Sequence, residues 1–411
     1  MKKKNALVLG CGASGISAAR LLLAQSYRVI LSDDRWSNSN SPSVPAALNH
    51  HPGLELALWA DIEKVPFDLF VISPGLDPRV EKIASLKKRG TPFVSELELG
   101  SRFCQQPVVA ITGTNGKTTV TEMVTAILNN AGLSATAAGN IGEPLCEVAL
   151  RAKRCDYLVC EVSSFQLEHS PTFKPAVCAV LNISDDHLDR YDSFENYALT
   201  KWSIFKNHSH RDVLFVSDEL MPVCPWPQAI SVTTQSSTIR QKNEAFASAI
   251  SKHIGVSGLA ISNTLQSFPE PTHRREKFLH HNGVTFINDS KSTNCHALEN
   301  ALGEISGPVI LIAGGRDKNM DFARLENLIH KRVKHLILMG ETRHKLAVLW
   351  QRTPHTLVDN IGQAAELAIS LALPGDTVLL SPACASLDQF TDYKQRGNLF
   401  KEAICKKITK T

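Results

Sequence analysis

The chain has 411 residues, of which 43% are hydrophobic and 20% are charged, and its formal net charge is +4. This is the composition of an ordinary globular protein, and so small a positive charge excludes binding to nucleic acid through a large basic surface. At roughly 100 to 200 residues per domain, the length predicts about three domains, each able to bury its own core.

The basic cluster Lys2-Lys3-Lys4 precedes an apolar run at residues 6–10. That run is too short for the core of a signal peptide or for a membrane span. We therefore expect a cytoplasmic protein without membrane-spanning segments. The ten cysteines are scattered and form no Cys-x-x-Cys pair, so neither a zinc knuckle nor a disulfide framework is indicated.

The first predicted α/β unit begins with a strand at residues 6–10 and passes through a glycine-rich turn into an Ala/Leu-rich helix that ends near Ser26. A second strand at residues 28–31 leads to Asp33. The unit closes with a strand at 69–72, the turn Ser73-Pro74-Gly75, a helix at 80–89 and a short strand at 92–94. Alternating strands and helices predict a parallel, mostly doubly wound sheet.

The glycines of that turn, Gly10, Gly12 and Gly15, match the dinucleotide-binding fingerprint together with Asp33. Taken alone, the pattern favours a nicotinamide-dependent oxidoreductase. The unit is only about half as long as a full dinucleotide-binding domain, however, and no obvious hydride-transfer site follows it. We therefore predict that the turn holds the diphosphate of a nucleotide-linked substrate, a conclusion that depends on a second motif.

This second motif is the phosphate loop, residues 112–119, which read Thr-Gly-Thr-Asn-Gly-Lys-Thr-Thr. Its small residues let backbone N–H groups converge on phosphate oxygens, and the following helix presents its positive end to them. Lys117 is placed to reach the β and γ phosphates of ATP. An apolar run at 107–111 and a helical pattern at 120–131 supply the strand and helix that the motif requires. Ile111 occupies the first glycine position of the general P-loop, so this is a shortened variant, and an ordinary turn is the alternative.

The second run continues with strands at 157–162, 177–183 and 213–216 and a helix at 194–205. A segment at 221–241 rich in Pro, Ser, Thr and Gln is typical of a divergent surface stretch. The third run begins near residue 273 with a hairpin whose turn is Asn282-Gly283. It has further strands at 284–288, 309–313, 335–339 and 377–380, and no internal repeat is present.

Glu161 and His187 each lie at the carboxyl end of a predicted parallel strand, and we extend the same argument to Asn140. Open α/β sheets bind their ligands at the carboxyl ends of their strands. This placement favours a functional site over the alternatives, which are a paired structural carboxylate for Glu161 and a core histidine for His187.

Several motifs then follow one another along essentially the whole chain. They are residues 112–119, Gly139-Asn-Ile-Gly142, Glu161-Val-Ser-Ser-Phe-Gln-Leu-Glu168, Asn182-Ile-Ser-Asp-Asp-His-Leu-Asp-Arg-Tyr191, His273-Arg274, Asn288-Asp-Ser-Lys-Ser-Thr-Asn294, Gly314-Gly-Arg-Asp-Lys318 and Ser381-Pro-Ala-Cys-Ala-Ser-Leu-Asp-Gln-Phe390. In this order they resemble the Mur ligase family. The last motif favours the members that add D-glutamate, because members that add a diamino acid are expected to carry Asp-Asn-Pro-Arg in the third domain and this chain has none.

The resemblance implies an α/β fold of three domains. A Rossmann-like domain at residues 1–94 would bind the UDP-linked substrate, a central P-loop-type ATPase domain with a mostly parallel sheet would span 95–270, and a Rossmann-like α/β domain at 271–411 would bind the amino acid. The implied substrates are UDP-N-acetylmuramoyl-L-alanine and D-glutamate. ATP would phosphorylate the alanyl carboxylate, and the amine of D-glutamate would attack the acyl phosphate through a tetrahedral intermediate.

The resemblance also assigns the ATP and metal sites. ATP would be held by Gly113, Thr114, Asn115, Gly116, Lys117, Thr118 and Thr119, with Asn243, Arg274 and Asp289 at adenine, phosphate and ribose. Two Mg²⁺ ions would be held by Thr118, Glu161, His187 and Lys201, the last as a carbamate that turns a cation into an anionic oxygen ligand. Lys117, Glu161, His187 and Lys201 would be the catalytic residues. A solvated helix lysine is the alternative for Lys201.

The remaining assignments concern the substrates. Asn140, Ser163 and His187 would contact the nucleotide-linked substrate, and its uridine diphosphate would lie against Ala13, Ser14, Asp33, Arg35 and Gly75. Thr293 and Lys318 would bind one carboxylate of D-glutamate, and the hydroxyl and backbone of Ser386 and Leu387 the other. Tyr393 stands where relatives often have Phe, so its role in stacking or shape is open.

Closure of the third domain on the second is expected before the acyl phosphate forms, with a hinge at residues 268–272 flanked by Pro269 and Pro271. A monomer is the simplest expectation. Three alternatives stay open: another amide-forming relative such as a folate polyglutamate ligase, a nicotinamide oxidoreductase, and a nucleotide-driven switch without bond-forming activity.

Overall fold

A computed structural model describes residues 3–33, 36, 48, 51–62, 65–151, 155–187, 189–234, 238–269 and 272–409. The chain divides into two compact units, which are described separately. The first unit comprises Met1–Ile183 and Glu195–Ser267, and the second comprises Ser184–Phe194 and Phe268–Thr411. The boundary after Ser267 lies beside the predicted hinge; Glu270 and Pro271 fall outside the described residues, so the hinge stays a prediction.

The first unit begins with an all-parallel sheet of strand order β3-β2-β1-β4-β5. Its elements are β1 Asn5–Leu9, α1 Ala13–Ala24, β2 Arg28–Ser32, β3 Leu54–Leu56, α2 Trp59–Ile62, β4 Leu69–Ile72, α3 Glu81–Lys87, β5 Phe93–Ser95 and α4 Glu96–Ser101. The central strands β1 and β4 are buried on both faces, which explains their continuous apolar sequence. The glycine-rich turn therefore lies at the carboxyl end of the central strand.

A second parallel sheet completes this unit, with strand order β11-β10-β9-β6-β8-β7. Its elements are β6 Val108–Thr112, α5 Lys117–Asn130, β7 Ala135–Gly139, α6 Leu145–Ala149, β8 Tyr157–Glu161, α7 Ser164–Leu167, β9 Val177–Val180, α8 Phe194–Trp202, β10 Val213–Ser217, β11 Ile230–Val232, α9 Ile239–Ile254 and α10 Gly258–Ser267. The strand that leads into the phosphate loop, β6, lies between β9 and β8. All three strands end at one edge, where the loop, Glu161 and Asn182 meet.

The two sheets of the first unit are joined through helices. Leu99 of α4 and Cys146 of α6 are buried in the same cluster as Leu22 of α1. Arg20 of α1 also forms an ion pair with Glu147 of α6 at 2.5 Å. Buried apolar surface is the main stabilising term in such contacts, at about 25 cal/mol per Å².

The second unit has a mixed sheet of order β12-β13-β17-β14-β15-β16, in which only the β12–β13 pair is antiparallel among the described strands. Its elements are β12 Glu276–His281, β13 Val284–Asn288, α11 Cys295–Glu304, β14 Val309–Gly314, α12 Glu326–Arg332, β15 Val333–Met339, α13 Arg343–Leu349, β16 His355–Leu357, α14 Ile361–Leu371, β17 Thr377–Leu380 and α15 Tyr393–Ile408. Asn282 and Gly283 have φ angles of 48° and 76°, as a two-residue type I′ hairpin requires. The predicted hairpin is confirmed.

The predicted α/β class with mostly parallel sheets is confirmed, and three details differ. Helix α5 begins at Lys117 rather than near residue 120, because the last loop residues form its first turn. The strand predicted at 177–183 ends at Val180, where the chain turns to brace the phosphate loop. The short strands β3, β7, β11 and β16 were not predicted, and β11 lies inside the presumed surface stretch at 221–241.

The proposed domain boundaries at residues 94/95 and 270/271 stay a prediction. The structure adds one finding about the chain between them. Residues 184–194, which contain His187, group with the second unit, because Asp186 bonds to Lys318 and Asn294 there. The segment was placed by sequence within 95–270.

Candidate functional site

The phosphate loop owes its conformation to two glycines. Gly113 and Gly116 have φ angles of 152° and 87°, which are unfavourable for any residue with a side chain. A Cβ on Gly116 would lie 2.6 Å from Oδ1 of Asn243, so the loop and helix α9 also approach too closely for a larger residue. The loop ends at the N-terminus of the 14-residue helix α5, and the N–H groups at a helix N-terminus favour bound phosphate.

Two lysines contact the same carbonyl of the phosphate loop. The ammonium group of Lys117 donates to the carbonyl oxygens of Gly113 at 2.8 Å and Thr114 at 2.9 Å. Lys201 from α8 donates to the Gly113 oxygen at 3.0 Å, and its ammonium lies 4.5 Å from the ring centre of Tyr197. The Lys201 side chain is buried at 2% exposure, so the alternative of a solvated helix lysine is wrong.

Asn182 and Tyr197 brace the loop and were not among the predicted site residues. The side chain of Asn182 accepts from the N–H of Asn115 at 2.8 Å and donates to the Asn115 oxygen at 3.0 Å. Its backbone oxygen accepts from the N–H of Thr114 at 2.9 Å. The hydroxyl of Tyr197 bonds to the hydroxyl of Thr114 at 3.1 Å. Asn182 opens one of the sequence motifs, which is the signal that could have identified it.

Glu161 lies at the end of β8 and is 2% exposed. One carboxylate oxygen accepts from the side-chain amide of Asn140 at 2.7 Å, and the other is buried with no hydrogen-bond donor among the described residues. A buried carboxylate with a spare oxygen suits a hard cation such as Mg²⁺. In the described part of the chain no group of three His, Cys, Asp or Glu side chains could hold a metal ion, so a cation here would also need hydroxyl or phosphate oxygens.

Other predicted residues of this unit are placed as follows. Thr118 and Thr119 lie in the first turn of α5, and Asn243 is buried on α9 beside Gly116. Ser163 caps α7 by accepting from the N–H of Gln166. These positions bring the predicted ATP residues of the first unit together; their contacts with a nucleotide stay predictions.

Asp33 stabilises the glycine-rich turn after β1 through a hydrogen bond. The carboxylate of Asp33 is 3% exposed and accepts from the N–H of Cys11 at 2.6 Å. A Cβ on Gly15 would lie 1.8 Å from the Gly10 oxygen, so only glycine permits the close approach of α1 to the turn. Asp33 therefore stabilises the turn itself, and its contact with the uridine stays a prediction.

Three further residues surround this turn. Ala13 and Ser14 form the first turn of α1, with Ala13 exposed, and Gly75 follows β4 with open space around its Cα. All three are accessible enough to contact a ligand. Arg35, predicted to cover the uridine ring, lies outside the described residues.

In the second unit, Asp186 pairs with Lys318. The Lys318 ammonium lies 2.8 Å from one carboxylate oxygen, and the amide of Asn294 donates to the other at 3.0 Å. Burial opposes ionisation of Asp186, but the charges of Lys318 and His187 outweigh it and hold the pKa of Asp186 well below its usual range. His187 has a φ of 57°, and its N–H donates to Asp186. Lys318, predicted to bind a substrate carboxylate, is thus already held by a protein carboxylate.

Asp289 is buried at the carboxyl end of β13. One oxygen accepts from the N–H of Arg275 at 3.1 Å and the other from the hydroxyl of Ser381 at 2.8 Å. Burial raises the pKa of Asp289 to about 6, against the lowering effects of Ser381, Arg275 and Arg274. Because Arg275 follows Arg274 and its N–H bonds to Asp289, the two predicted ATP residues of the second unit lie near each other.

The three-loop cradle consists of residues 289–294, 314–318 and 381–387, which lie at the carboxyl ends of β13, β14 and β17. It carries Thr293, Lys318, Ser386 and Leu387, the residues predicted to bind the amino acid. Ser386 is buried and Leu387 is 59% exposed. Tyr393 begins α15, and its ring lies 5.1 Å from the ammonium of Lys291. Topology thus brings residues from distant sequence positions to one sheet edge.

These observations define a multidomain α/β protein with a P-loop-type phosphate site. Family models match the chain at residues 4–95 (Mur ligase MurD-like, N-terminal domain), 111–266 (Mur ligase middle domain) and 273–384 (Mur ligase, glutamate ligase domain). It is 35% identical to the UDP-N-acetylmuramoylalanine–D-glutamate ligase of Alkaliphilus oremlandii, with 98% of each chain covered. It is 34% identical to the ligase of that name from Pelotomaculum thermopropionicum, covering 98% of this chain and 97% of the relative.

The chain belongs to the Mur ligase family and carries its MurD-like N-terminal domain. The predicted family and three-domain fold are confirmed. The solved structure of UDP-N-acetylmuramate–alanine ligase MurC from Thermotoga maritima has a TM-score of 0.60 at 16% identity, covering 99% of this chain and 100% of that one. This second likeness concerns the fold alone. No helix of the described residues is long and apolar enough to cross a membrane.

Proposed function

We propose that the protein is an ATP-dependent ligase that adds D-glutamate to UDP-N-acetylmuramoyl-L-alanine in peptidoglycan precursor synthesis. The observation that carries this proposal is the full-length match, at 34 to 35% identity, to relatives named for that reaction. The phosphate loop and the cation-ready Glu161 in one unit support ATP chemistry. A cytoplasmic monomer with small-molecule substrates is part of the proposal.

In the proposed reaction, the alanyl carboxylate attacks the γ-phosphorus of ATP, forming an acyl phosphate and releasing ADP. The neutral amine of D-glutamate then attacks the acyl carbon, and the tetrahedral intermediate loses a proton and expels inorganic phosphate. Two anions at contact distance repel each other by several kcal/mol at an effective dielectric constant of about 20. Cationic groups must therefore align them, and Lys117 with the N-terminus of α5 serves this role.

Members of the family use ATP and Mg²⁺, and we propose two Mg²⁺ ions here. Mg²⁺ would neutralise phosphate charge and polarise the phosphoryl oxygens. Thr118 and Glu161 would hold one ion through hydroxyl and carboxylate oxygens. His187 would hold the second, together with a carbamate on Lys201. The Glu161 oxygen that has no hydrogen-bond donor among the described residues supports the assignment of Glu161 to the first ion.

The carbamate proposal has a specific electrostatic basis. Lys117 and Lys201 both donate to the Gly113 oxygen, so two ammonium groups crowd one acceptor. Carbamylation of Lys201 would replace one of these cations by an anion that can ligate metal. We expect Lys201→Ala to lose about 10² in rate and to regain activity when acetate or formate is added. Full activity of this variant without added carboxylate would contradict the proposal.

The proposed ligand contacts follow the same division into sites. Asn243, Arg274 and Asp289 would contact the adenosine and phosphates of ATP. Thr293, Lys318, Ser386 and Leu387 would bind D-glutamate, and Tyr393 would border it. The nucleotide-linked substrate would lie against Ala13, Ser14, Asp33, Arg35, Gly75, Asn140, Ser163 and His187.

The test is phosphate release by the purified protein with UDP-N-acetylmuramoyl-L-alanine, ATP, Mg²⁺ and a panel of amino acids of both hands. We expect release only when both acceptors are present, with strict preference for D-glutamate. Preference for another amino acid would identify a different ligase of this type. ATP hydrolysis without an amino acid would indicate a nucleotide-driven switch, and NAD(P) turnover would indicate the oxidoreductase.

A further inference from the structure

Arg396 is the largest buried cation of the second unit, with a side chain in the first turn of α15 that is 1% exposed. One terminal nitrogen of its guanidinium donates to the backbone oxygen of Ser290 at 2.8 Å. Both terminal nitrogens donate to the backbone oxygen of Cys384, each at 3.2 Å. A further contact reaches the Ala385 oxygen at 3.4 Å, and Nε donates to the Ser290 hydroxyl at 3.0 Å. Arg396 thus joins two of the three cradle loops.

Stability alone does not explain this arrangement. Arg396 forms no ion pair with any carboxylate of the described residues, and burial lowers its pKa to about 10. It also lies at the N-terminal end of a helix, where the backbone dipole disfavours a cation. A buried charge whose hydrogen bonds go to neutral carbonyls and one hydroxyl is costly compared with an apolar side chain, even with Asp388 and Asp289 attracting it from a distance. We therefore expect the guanidinium to set the conformation of the loops that it bonds to.

The cradle loop 381–387 has a backbone conformation that local preference does not favour. Ala383 has a φ of 57°, which costs a non-glycine residue conformational energy. Arg316 on the neighbouring loop exchanges backbone hydrogen bonds with Ala385, at 2.9 Å and 3.2 Å. Arg396 lies directly beneath this bridge, because a Cβ on Gly315 would come within 3.2 Å of its guanidinium.

Because the peptide bond is planar, the hydrogen bonds to these carbonyls also fix the direction of the N–H groups that follow them. In a trans peptide the carbonyl and the following N–H point in opposite directions. The Cys384 carbonyl faces Arg396 and the Ala385 N–H accordingly faces the Arg316 oxygen. The Ala385 carbonyl accepts from the Arg316 N–H at 2.9 Å and from Arg396 at 3.4 Å, so the N–H of Ser386 points away from both donors. Among the described residues that N–H has no hydrogen-bond acceptor.

We infer that Arg396 is a positioning residue that fixes the peptide before Ser386, so that the Ser386 N–H is presented to a carboxylate of the incoming dicarboxylic amino acid. This inference rests on the proposed function. Hydrogen bonds from pre-oriented N–H groups to a carboxylate are stronger than neutral ones. The orientation of this single N–H is thus a determinant of amino-acid affinity, set by a residue that does not touch the substrate.

The experiment compares Arg396→Lys, Arg396→Ala and the wild type in the phosphate-release assay, with KM measured separately for D-glutamate, ATP and the nucleotide-linked substrate. We expect KM for D-glutamate to rise about ten-fold to a hundred-fold in both variants. KM for the other two substrates should stay within about two-fold. Added guanidinium should lower KM for D-glutamate in Arg396→Ala, because it can refill the vacated site.

The matched control is Arg332→Ala, which removes a half-buried arginine of the same unit that also donates to a backbone carbonyl, that of Ile305. It should leave KM for D-glutamate unchanged. Thermal unfolding is recorded for every variant, and if Arg396→Ala does not fold, Arg396→Lys carries the test. An unchanged KM for D-glutamate, or an equal rise in all three KM values, would overturn the inference. Failure of the wild type to use D-glutamate would instead contradict the proposed function.

Discussion

The phosphate loop of the first unit and the three-loop cradle of the second unit are built in different ways. The phosphate loop is one continuous segment whose shape is set by Gly113 and Gly116. The cradle joins three segments that are distant in sequence. The buried Arg396 connects residues 289–294 to 381–387, and the backbone bridge between Arg316 and Ala385 connects 314–318 to 381–387. A site of the first kind can be recognised from neighbouring residues, whereas the second kind depends on the complete fold.

The largest effect should come from Lys117, the cation of the phosphate loop. We expect Lys117→Met to lower D-glutamate-dependent phosphate release by about 10³ or more, because a preorganised charge on the phosphates is lost. Thermal unfolding should change little, since the ammonium group of Lys117 donates to neutral carbonyls of its own loop. Lys242→Met is the control, because Lys242 pairs with Glu219 on an exposed surface. Activity of Lys117→Met near that of the control would remove Lys117 from the mechanism.

Glu161 should come next. Glu161→Gln keeps the size of the side chain and the bond to Asn140 but removes the charge, so we expect a loss of about 10² to 10³ in rate and a higher Mg²⁺ requirement. The readout is phosphate release over a range of Mg²⁺ concentrations.

Glu96→Gln provides a close control for Glu161. Glu96 is also buried in the first unit, and one of its oxygens has no hydrogen-bond partner among the described residues. Burial raises its pKa to about 7, so it can be neutral instead of binding a cation. Its variant should keep the wild-type Mg²⁺ dependence. An identical Mg²⁺ response in both variants would contradict the metal assignment.

Asp289 gives a prediction about stability of the cradle. Burial raises its pKa from 3.8 to about 6. Between these two pH values, the folded state keeps a proton on Asp289 that the unfolded state has lost. Its stabilising contribution is full below about pH 4 and is lost as pH rises through about 6. Between pH 4 and 8, Asp289→Asn should gain roughly 3 kcal/mol relative to the wild type. Unfolding measured across this range tests the slope.

The control for that measurement is Asp359→Asn, because the Asp359 side chain is 74% exposed. Its unfolding should follow the wild type at every pH. A constant offset between Asp289→Asn and the wild type, without a pH-dependent change, would show that Asp289 is ionised in the folded state at pH 4 as readily as in the unfolded chain.

The smallest effect concerns the brace on the phosphate loop. Asn182→Ala removes two hydrogen bonds to the backbone of Asn115, so we expect KM for ATP to rise about ten-fold, as for the loss of one or two net hydrogen bonds. Asn207→Ala is matched to it, since the Asn207 amide also donates to two backbone oxygens, those of Pro171 and Phe173. Equal ATP kinetics in the two variants would contradict a bracing role.

The sequence identified those features whose cause is local. The strand before the phosphate loop, the loop itself and the Asn282-Gly283 hairpin follow from neighbouring residues and are present in the structure. The burial of Lys201 and the bond between Asp33 and the Cys11 N–H were not predicted, because both depend on how separate elements approach each other. Arg396 was missed for the same reason: its partners lie on two loops, one of them about a hundred residues away.

The central claim is that the phosphate loop of the first unit activates a carboxylate as an acyl phosphate. It is tested most directly by adding hydroxylamine to the protein with ATP, Mg²⁺ and UDP-N-acetylmuramoyl-L-alanine in the absence of D-glutamate. The account predicts an alanyl hydroxamate that requires ATP and is lost in Lys117→Met. Accumulation of the D-glutamate product in parallel reactions, with no hydroxamate at any hydroxylamine concentration, would contradict it.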